Sequence, residues 1–372
     1  MSKYKIAWLP GDGIGSEVLN AARTVLDASG FEADYIHGDI GWEFWKKEGD
    51  PLPERTKELL KECDAAMFGA NTSKPAKEAE NELYNELKGK GLVYRSPIVK
   101  IRQEFDLYTY LRPSKAYPGN PSNIKDNIDI VIVRENTEDL YSGVEFFPVP
   151  DKLKNALAEY SEQFGKFASM KGGDFAVSCK INSVKGSERI IRKAFEYAKT
   201  FGRKKVTVVH KANVVRASDG LFLDIASDIS REYPEIEFDK ANIDALAMWL
   251  IKNPTRFDVL VSPNLYGGIV SDLCAQMVGG LGFACSGNIG DDLGVFEPAH
   301  GSAPKYKGQN KVNPIAAILA AKMMLEWLGE IQKAEKIENS VARIIREGYI
   351  RTYDMGGTHG TLEMAEEIAK NL

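Results

Sequence analysis

Residues 5–30, KIAWLPGDGIGSEVLNAARTVLDASG, decide the fold class. The apolar run up to Leu9 and Pro10 reads as a strand and GDGIG as a turn. The amphipathic stretch that follows reads as a helix with Ser16 as its cap and Gly30 as its stop. The alternation continues outward along the chain. DAAMFGA (64–70), IDIVIVRE (128–135), KVTVVHKA (205–212) and FDVLVSPN (257–264) are short apolar or β-branched runs, and GSERIIRKAFEYAKTF (186–201) has helical periodicity. Such alternation builds an α/β protein with largely buried sheets. Gly11, Gly13 and Gly15 invite a dinucleotide-binding reading, but their spacing is G-x-G-x-G rather than G-x-G-x-x-G, and no acidic residue follows in the required strand context. The expectation is therefore not a Rossmann fold. The glycines are read as allowing a tight turn against a neighbouring strand.

At 372 residues the chain exceeds the roughly 250–300 at which one core stops growing, so two lobes are expected. Hydrophobic residues make up 44% and charged residues 27%, and no apolar run approaches the roughly 20 residues of a membrane span. The start, MSKYKIAWLPGDG, shows no secretory pattern, which gives the expectation of a cytoplasmic protein with no membrane partner. Cys63, Cys179, Cys274 and Cys285 are scattered without C-x-x-C spacing, as expected of free thiols rather than a zinc site or disulfide framework. A net charge of −5 argues against nucleic-acid binding, so an anionic ligand must be held by a few placed cations.

SPIVKIRQEFDLYTYLRP (96–113) and VIVRENTEDLYSGVEF (131–146) place Arg102, Arg112 and Arg134 at strand or helix ends among apolar residues. A lone arginine is usually a surface ion-pair partner; three in this setting suit a small polyanion gripped by guanidinium forks. Lys211 follows the β-branched run VVH, where it is either a snorkelling surface lysine or a base at a cleft whose pKa neighbouring cations lower. Asp244 in NIDALAMWL and Asp272 in NLYGGIVSDLCAQ are acids in apolar surroundings, read either as backbone caps or as ligands of a divalent cation. KPAKEAENELYNELKGK (74–90) reads as a solvated helical insertion, with a lid as the lesser alternative. Residues 286–314, dense in Gly, Pro, Asn and charge, read as a long binding loop with little regular structure.

Taken in order, LPGDGIG, RQEFDLYTYLRP, RENTEDLYSG, HKAN, NLYGG with SD, NIGD and FEPAHGSAPKYKGQNKVNP resemble the β-decarboxylating dehydrogenases, the isocitrate, homoisocitrate and isopropylmalate dehydrogenase family. The resemblance covers nearly the whole chain. It implies a two-lobed isocitrate/isopropylmalate dehydrogenase-like fold, with a discontinuous large domain (1–105 and 277–372), a small domain with the dimer clasp (106–276), and a homodimer with shared active sites. Arg102, Arg112 and Arg134 would hold the substrate carboxylates. Tyr141 and Lys211 would move protons, with Lys211 contributed by the second subunit, and Asp244 and Asp272 would hold Mg²⁺ or Mn²⁺.

One departure stands out: Gly268 occupies a place where catalytic relatives carry a further metal-binding aspartate. A regulatory or catalytically weak subunit is therefore a second expectation. Ser96, Ile98 and Val99 fall where the family reads the variable substituent of the polycarboxylate: Ser96 resembles the serine of isocitrate enzymes, Ile98 stands where those commonly carry asparagine, and SPIV also resembles some homoisocitrate enzymes. RQEFDLYTYLRP and YPGNPSNIK look closer to isocitrate dehydrogenases, so isocitrate is favoured, then homoisocitrate, then 3-isopropylmalate. Lys305, Tyr306 and Tyr353 resemble an NADP-type set, although Gly357 replaces an arginine common there and Asn253 falls at a cross-subunit arginine position. NADP is favoured over NAD. Thr72, Ser73, His300 and Asn313 match other cofactor-contacting positions; a Thr-Ser pair after a strand also suits a helix cap.

Overall fold

The opening unit forms as expected, one residue out of place. In a computed structural model describing residues 3–372, strand β1 spans Tyr4–Gly11 and the first helix spans Gly15–Ala28. Ser16 lies inside the first turn, not at the cap, and Gly30 follows the last turn at a φ of +72°. The turn glycines are required by close backbone approach. A Cβ on Gly11 would fall 2.0 Å from the Ala70 carbonyl oxygen, and one on Gly13 would fall 1.9 Å from that of Ser302. Both also hold positive φ, where a side chain is strained. Between them, the half-buried Asp12 carboxylate accepts the backbone N–H groups of Trp42 and Thr72, each at 2.7 Å.

The remaining strands are β2 (Ala33–His37), β3 (Ala65–Ala70), β4 (Thr109–Lys115), β5 (Asp129–Glu135), β6 (Glu145–Phe146), β7 (Val177–Ser178), β8 (Lys205–His210), β9 (Glu237–Asn242), β10 (Val259–Ser262), β11 (Cys285–Ile289) and β12 (Gly294–Pro298). All but β6 and β7, which pair with each other, form one mixed sheet in the order β2-β1-β3-β12-β11-β4-β5-β10-β8-β9. Crossover helices cover both faces, which is why most strands are apolar runs rather than alternating ones.

The cores fall into two lobes along this sheet. Around β1, β3 and β12, the helices Gly15–Ala28, Ile315–Trp327, Ile331–Glu347 and Thr361–Lys370 pack one face, while Leu9, Leu60, Phe68 and Ile101 belong to a second cluster. Beyond β5, the helices Val184–Thr200 and Arg216–Ser230 pack against Val133, Val208 and Val261, and Leu246, Val270 and Cys274 join a further cluster. β4 joins the halves, antiparallel to β11 on one side and to β5 on the other. Among the described residues no helix is long and apolar enough to cross a membrane. All four cysteines are free thiols.

Two expectations are corrected. Residues 286–314 are not loop throughout, because β11 and β12 lie in the middle of the sheet. Their glycines make room for one aromatic ring: a Cβ on Gly287 or Gly294 would meet Phe296 at 2.9 or 2.7 Å. The 74–90 segment forms only a short helix, Ala76–Asn81, and it docks rather than floats. Ala79 and Leu83 are buried with Trp42 and Trp45, whose indole N–H groups bond Glu82 at 2.6 Å and the Ala79 carbonyl at 2.8 Å.

Gly13→Ala is expected to cost roughly 2–5 kcal/mol, the sum of a left-handed penalty and overpacking against Ser302. Urea unfolding measures this, and wild-type stability would show that the turn does not pack on the 302 loop.

Candidate active site

Arg134 leaves the end of β5 and is almost fully buried. Its Nε and Nη2 donate to the Asn264 side-chain oxygen at 2.9 and 2.7 Å. Asn264 opens the helix Asn264–Met277, and the glycines after it let the arginine lie flat: a Cβ on Gly267 would fall 2.6 Å from Arg134 Cγ. Arg112, on β4, is buried too; its Nη1 donates to Ser271 Oγ at 3.0 Å and to Asp272 Oδ1 at 2.6 Å. Its Nε and Nη2 are buried with no hydrogen-bond partner. Arg102 comes from the helix Pro97–Glu104 and donates through Nε to the Asn288 side-chain oxygen at 2.7 Å, while Nη2 lies 3.4 Å from Glu297. The Arg102 and Arg134 guanidinium carbons lie 5.0 and 5.3 Å from the centre of the Tyr110 ring, so both cations crowd the same aromatic.

This crowding is unfavourable as it stands. Burial, and then the neighbouring Arg102 charge, push the Arg134 pKa down from its ordinary value. Burial pushes the Glu297 carboxyl up against the opposing pull of Arg102. Arg112, Arg134, Tyr110, Tyr141, Gly268 and Asp272 line a cavity of about 340 Å³, with Leu265, Ile269 and Ala299 as its apolar wall. Tyr141 stands at its mouth, 39% exposed, with its ring centre 5.0 Å from the Arg134 guanidinium carbon. The turn that carries it is held by the buried Asp139, which accepts the N–H groups of Leu140 and Leu265 at 2.8 Å each.

The structure brings Lys211 and Asp244 together, but not to this cavity. Lys211 Nζ donates to Asp244 Oδ1 at 2.9 Å, and its backbone N–H is fixed by the buried Asp219 at 2.7 Å. The expectation of apolar surroundings for Asp244 and Asp272 is corrected, since their side chains are 64% and 69% exposed. Among the described residues no three His, Cys, Asp or Glu side chains cluster as a metal site. Ser96 Oγ lies 3.2 Å from the Asn71 amide nitrogen, whereas Ile98 is buried in the lobe core and does not line the cavity.

Four of the residues read as cofactor-contacting, His300, Tyr306, Asn313 and Tyr353, line a second cavity of about 500 Å³. Lys305 Nζ lies 4.8 Å from the Tyr306 ring centre. Thr72 approaches through Ser302, the two hydroxyls 2.7 Å apart, while Ser73 is exposed. Neither residue caps a helix: the next one begins after Pro75 with no side-chain cap. His300 Nδ1 lies 3.1 Å from the Gly301 carbonyl, its Nε2 is buried without a partner, and burial pushes its pKa down. The sequence reading missed Asn264, Ser271, Asn288 and Glu297. Asn264 and Ser271 lie inside the NLYGG and SD motifs already singled out, which was the usable signal for them. Asn288 and Glu297 lay hidden in a segment read as loop.

Comparison with known proteins agrees with this geometry. The isocitrate/isopropylmalate dehydrogenase family model matches residues 5–368. The chain is 42% identical to the 3-isopropylmalate dehydrogenase of Methanothermobacter thermautotrophicus, covering all of this chain and 99% of that one. It is 41% identical to the homoisocitrate dehydrogenase of Methanocaldococcus jannaschii, over 98% of this chain and 96% of the other. Protein DlpA of Legionella pneumophila is 39% identical over 99% of this chain, which spans 58% of that longer protein. The crystal structure of isocitrate dehydrogenase from Methylococcus capsulatus superposes with a TM-score of 0.85 at 39% identity, covering 99% of both chains. With its motifs in order, its two-lobed fold and a family match along nearly its whole length, this chain belongs to the isocitrate/isopropylmalate dehydrogenase family.

Proposed function

We propose that this chain oxidises and decarboxylates a 2-hydroxy acid with a malate-like core, passing the hydride to NADP. The observation that carries this reading is Arg112: a buried guanidinium with two unpaired nitrogens, lining a cavity shared with Arg134. Buried N–H donors left unmet are costly, and a substrate carboxylate answers the two on Arg112 with two parallel hydrogen bonds. Arg102 and Arg134 are held by amide oxygens, so much of their charge remains for the substrate.

For the substituent, 3-isopropylmalate and homoisocitrate move ahead of the isocitrate expected from sequence. Ile98 is sunk in the core, and the cavity wall offers Leu265, Ile269 and Ala299, surface suited to covering an isopropyl group. The relatives named for those two substrates, at 42% and 41% identity, support the same order.

Lys211 and Asp244, paired with each other outside the cavity, fit a role in which a homodimer presents them to a second copy's site. In that arrangement Lys211 takes the hydroxyl proton, and Tyr141 beside Arg134 holds the proton for the carbon that loses carbon dioxide. The second cavity fits a dinucleotide, because the unpartnered His300 Nε2 leaves a polar atom for it to engage. NADP bound there supplies the hydride acceptor.

Mg²⁺ or Mn²⁺, which the family typically uses, fits this chain's residues less well. Among the described residues Asp272 is the single carboxylate lining the cavity, it is already bonded to Arg112, and Gly268 has no side-chain ligand atom. That observation favours a second reading, a regulatory subunit that binds the polycarboxylate without turning it over.

Steady-state assays with 3-isopropylmalate, homoisocitrate and isocitrate, each with NADP and NAD and with Mg²⁺ or Mn²⁺, test the proposal. The expected result is the highest kcat/KM for 3-isopropylmalate with NADP. Binding of these acids without turnover of any would leave the regulatory reading standing instead. Gly268→Asp separates the two on the metal side; a Cβ there would lie 3.1 Å from Arg134 Nη1, so the guanidinium end must shift by a few tenths of an ångström to admit it. This variant is expected to tighten Mn²⁺ binding by calorimetry on the order of tenfold, the effect of one added carboxylate ligand; an unchanged affinity would remove Gly268 from the metal site.

A further inference from the structure

Side chains alternate along β4: Arg112 lines the candidate active site, while its neighbours Leu111 and Pro113, with Lys115, line a separate cavity of about 700 Å³ on the other face of the sheet. That volume falls within the roughly 300–1,000 Å³ of small-molecule sites. Its walls come from both lobes. Tyr197 and Phe201, ring centres 4.4 Å apart, stand at the end of the helix Val184–Thr200, and Met323 and Ile331 belong to the other lobe.

The charges along this cavity do not balance. Lys322 Nζ lies 2.8 Å from Glu326 and 2.8 Å from Glu338, and Glu338 also receives Lys115. Glu335 stands one turn before Glu338 on the helix Ile331–Glu347, so the two fall on one helix face. Among the described residues the Glu335 carboxylate has no ion-pair or hydrogen-bond partner. Three carboxylates therefore share two ammoniums, while Arg203 is paired with Asp129 at 2.7 Å. Burial pushes the Glu326 carboxyl up against the pull of Lys322, and the Glu338 and Glu335 charges add to that push. One positive charge is missing from this wall.

A second observation is independent of those carboxylates. Tyr117 is 4% exposed and lines the same cavity; its hydroxyl makes no hydrogen bond with a described residue, yet it is not sealed in the interior. A buried phenol usually has a partner. Here the hydroxyl is left open to an occupant of the cavity.

We propose that this cavity is a binding site for an organic ammonium. The cation answers the excess of carboxylate, the Tyr117 hydroxyl accepts one of its N–H groups, and an apolar or aromatic body packs on Tyr197, Phe201 and Met323. The site shares no lining residue with the candidate active site or the second cavity.

Phenethylamine, hydrocinnamate and phenethyl alcohol present one aromatic body with a positive, a negative and no charge at neutral pH. Each is titrated calorimetrically into the full chain, and the wild type is expected to bind phenethylamine more tightly than either of the others. Glu335→Gln and Tyr117→Phe should each weaken that binding roughly fivefold, the worth of one exposed ion pair or one neutral hydrogen bond. Glu366 is exposed, unpaired among the described residues and outside the cavity, so Glu366→Gln controls for net charge and should bind as wild type. No binding of phenethylamine, or equal binding of all three compounds, overturns the proposal. So does a Glu335→Gln variant that matches Glu366→Gln, because the amine would then bind elsewhere.

Discussion

Burying three guanidinium groups close together, two of them against one tyrosine ring, is the constraint on which the rest of the site depends. Like charges in a low-dielectric interior repel, and each guanidinium loses hydration when it enters. This protein does not cancel the charges with a matching number of carboxylates. Arg134 is held by the Asn264 amide oxygen and Arg102 chiefly by that of Asn288, while Asp272 takes one nitrogen of Arg112. Amide oxygens fix the geometry of a cation without neutralising it. The cost is met in rigidity elsewhere, by a sheet of ten strands and by helices whose packing fixes where each arginine emerges.

Seen this way, the glycines of NLYGG do mechanical work. Gly267 is small so that the Arg134 side chain can lie against the helix, and Gly268 leaves its guanidinium uncovered. The second consequence is chemical. Where a carboxylate on that helix would both bind a cation and neutralise Arg134, glycine does neither, so the cavity is biased toward anions. Beside the second cavity Lys305 and Lys311 likewise rest on tyrosine faces, not carboxylates, and so keep their charge.

The site also depends on connections far from it in sequence. The glycine turn after β1 binds the Ser302 loop through the Ile14 N–H at 2.9 Å, and Asp12 ties Trp42 and Thr72 to the same point. Ser302 then meets Thr72, their hydroxyls 2.7 Å apart, beside the second cavity's His300 and Gly301. A turn that looks like a nucleotide fingerprint thus serves as a clamp, bringing three segments to the place where the cofactor is proposed to sit.

The sequence by itself determined the α/β class, because strand and helix periodicities alternate regardless of context, and it determined the family, because whole motifs survive in order. Of its three arginines, Arg112 and Arg134 line one cavity with Tyr141, while Arg102 lies outside that lining, against the Tyr110 ring and bonded to Asn288. The tertiary structure alone decided what sequence spacing cannot carry. β11 and β12 were illegible, since their glycines exist for the Phe296 ring that packs across them, and propensity does not see that partner. Ile98 faces the core and Asp244 faces solvent because helix orientation, not residue type, sets where a side chain points. Lys311 lies against two rings only because Tyr353, remote in the chain, folds back beside Tyr306.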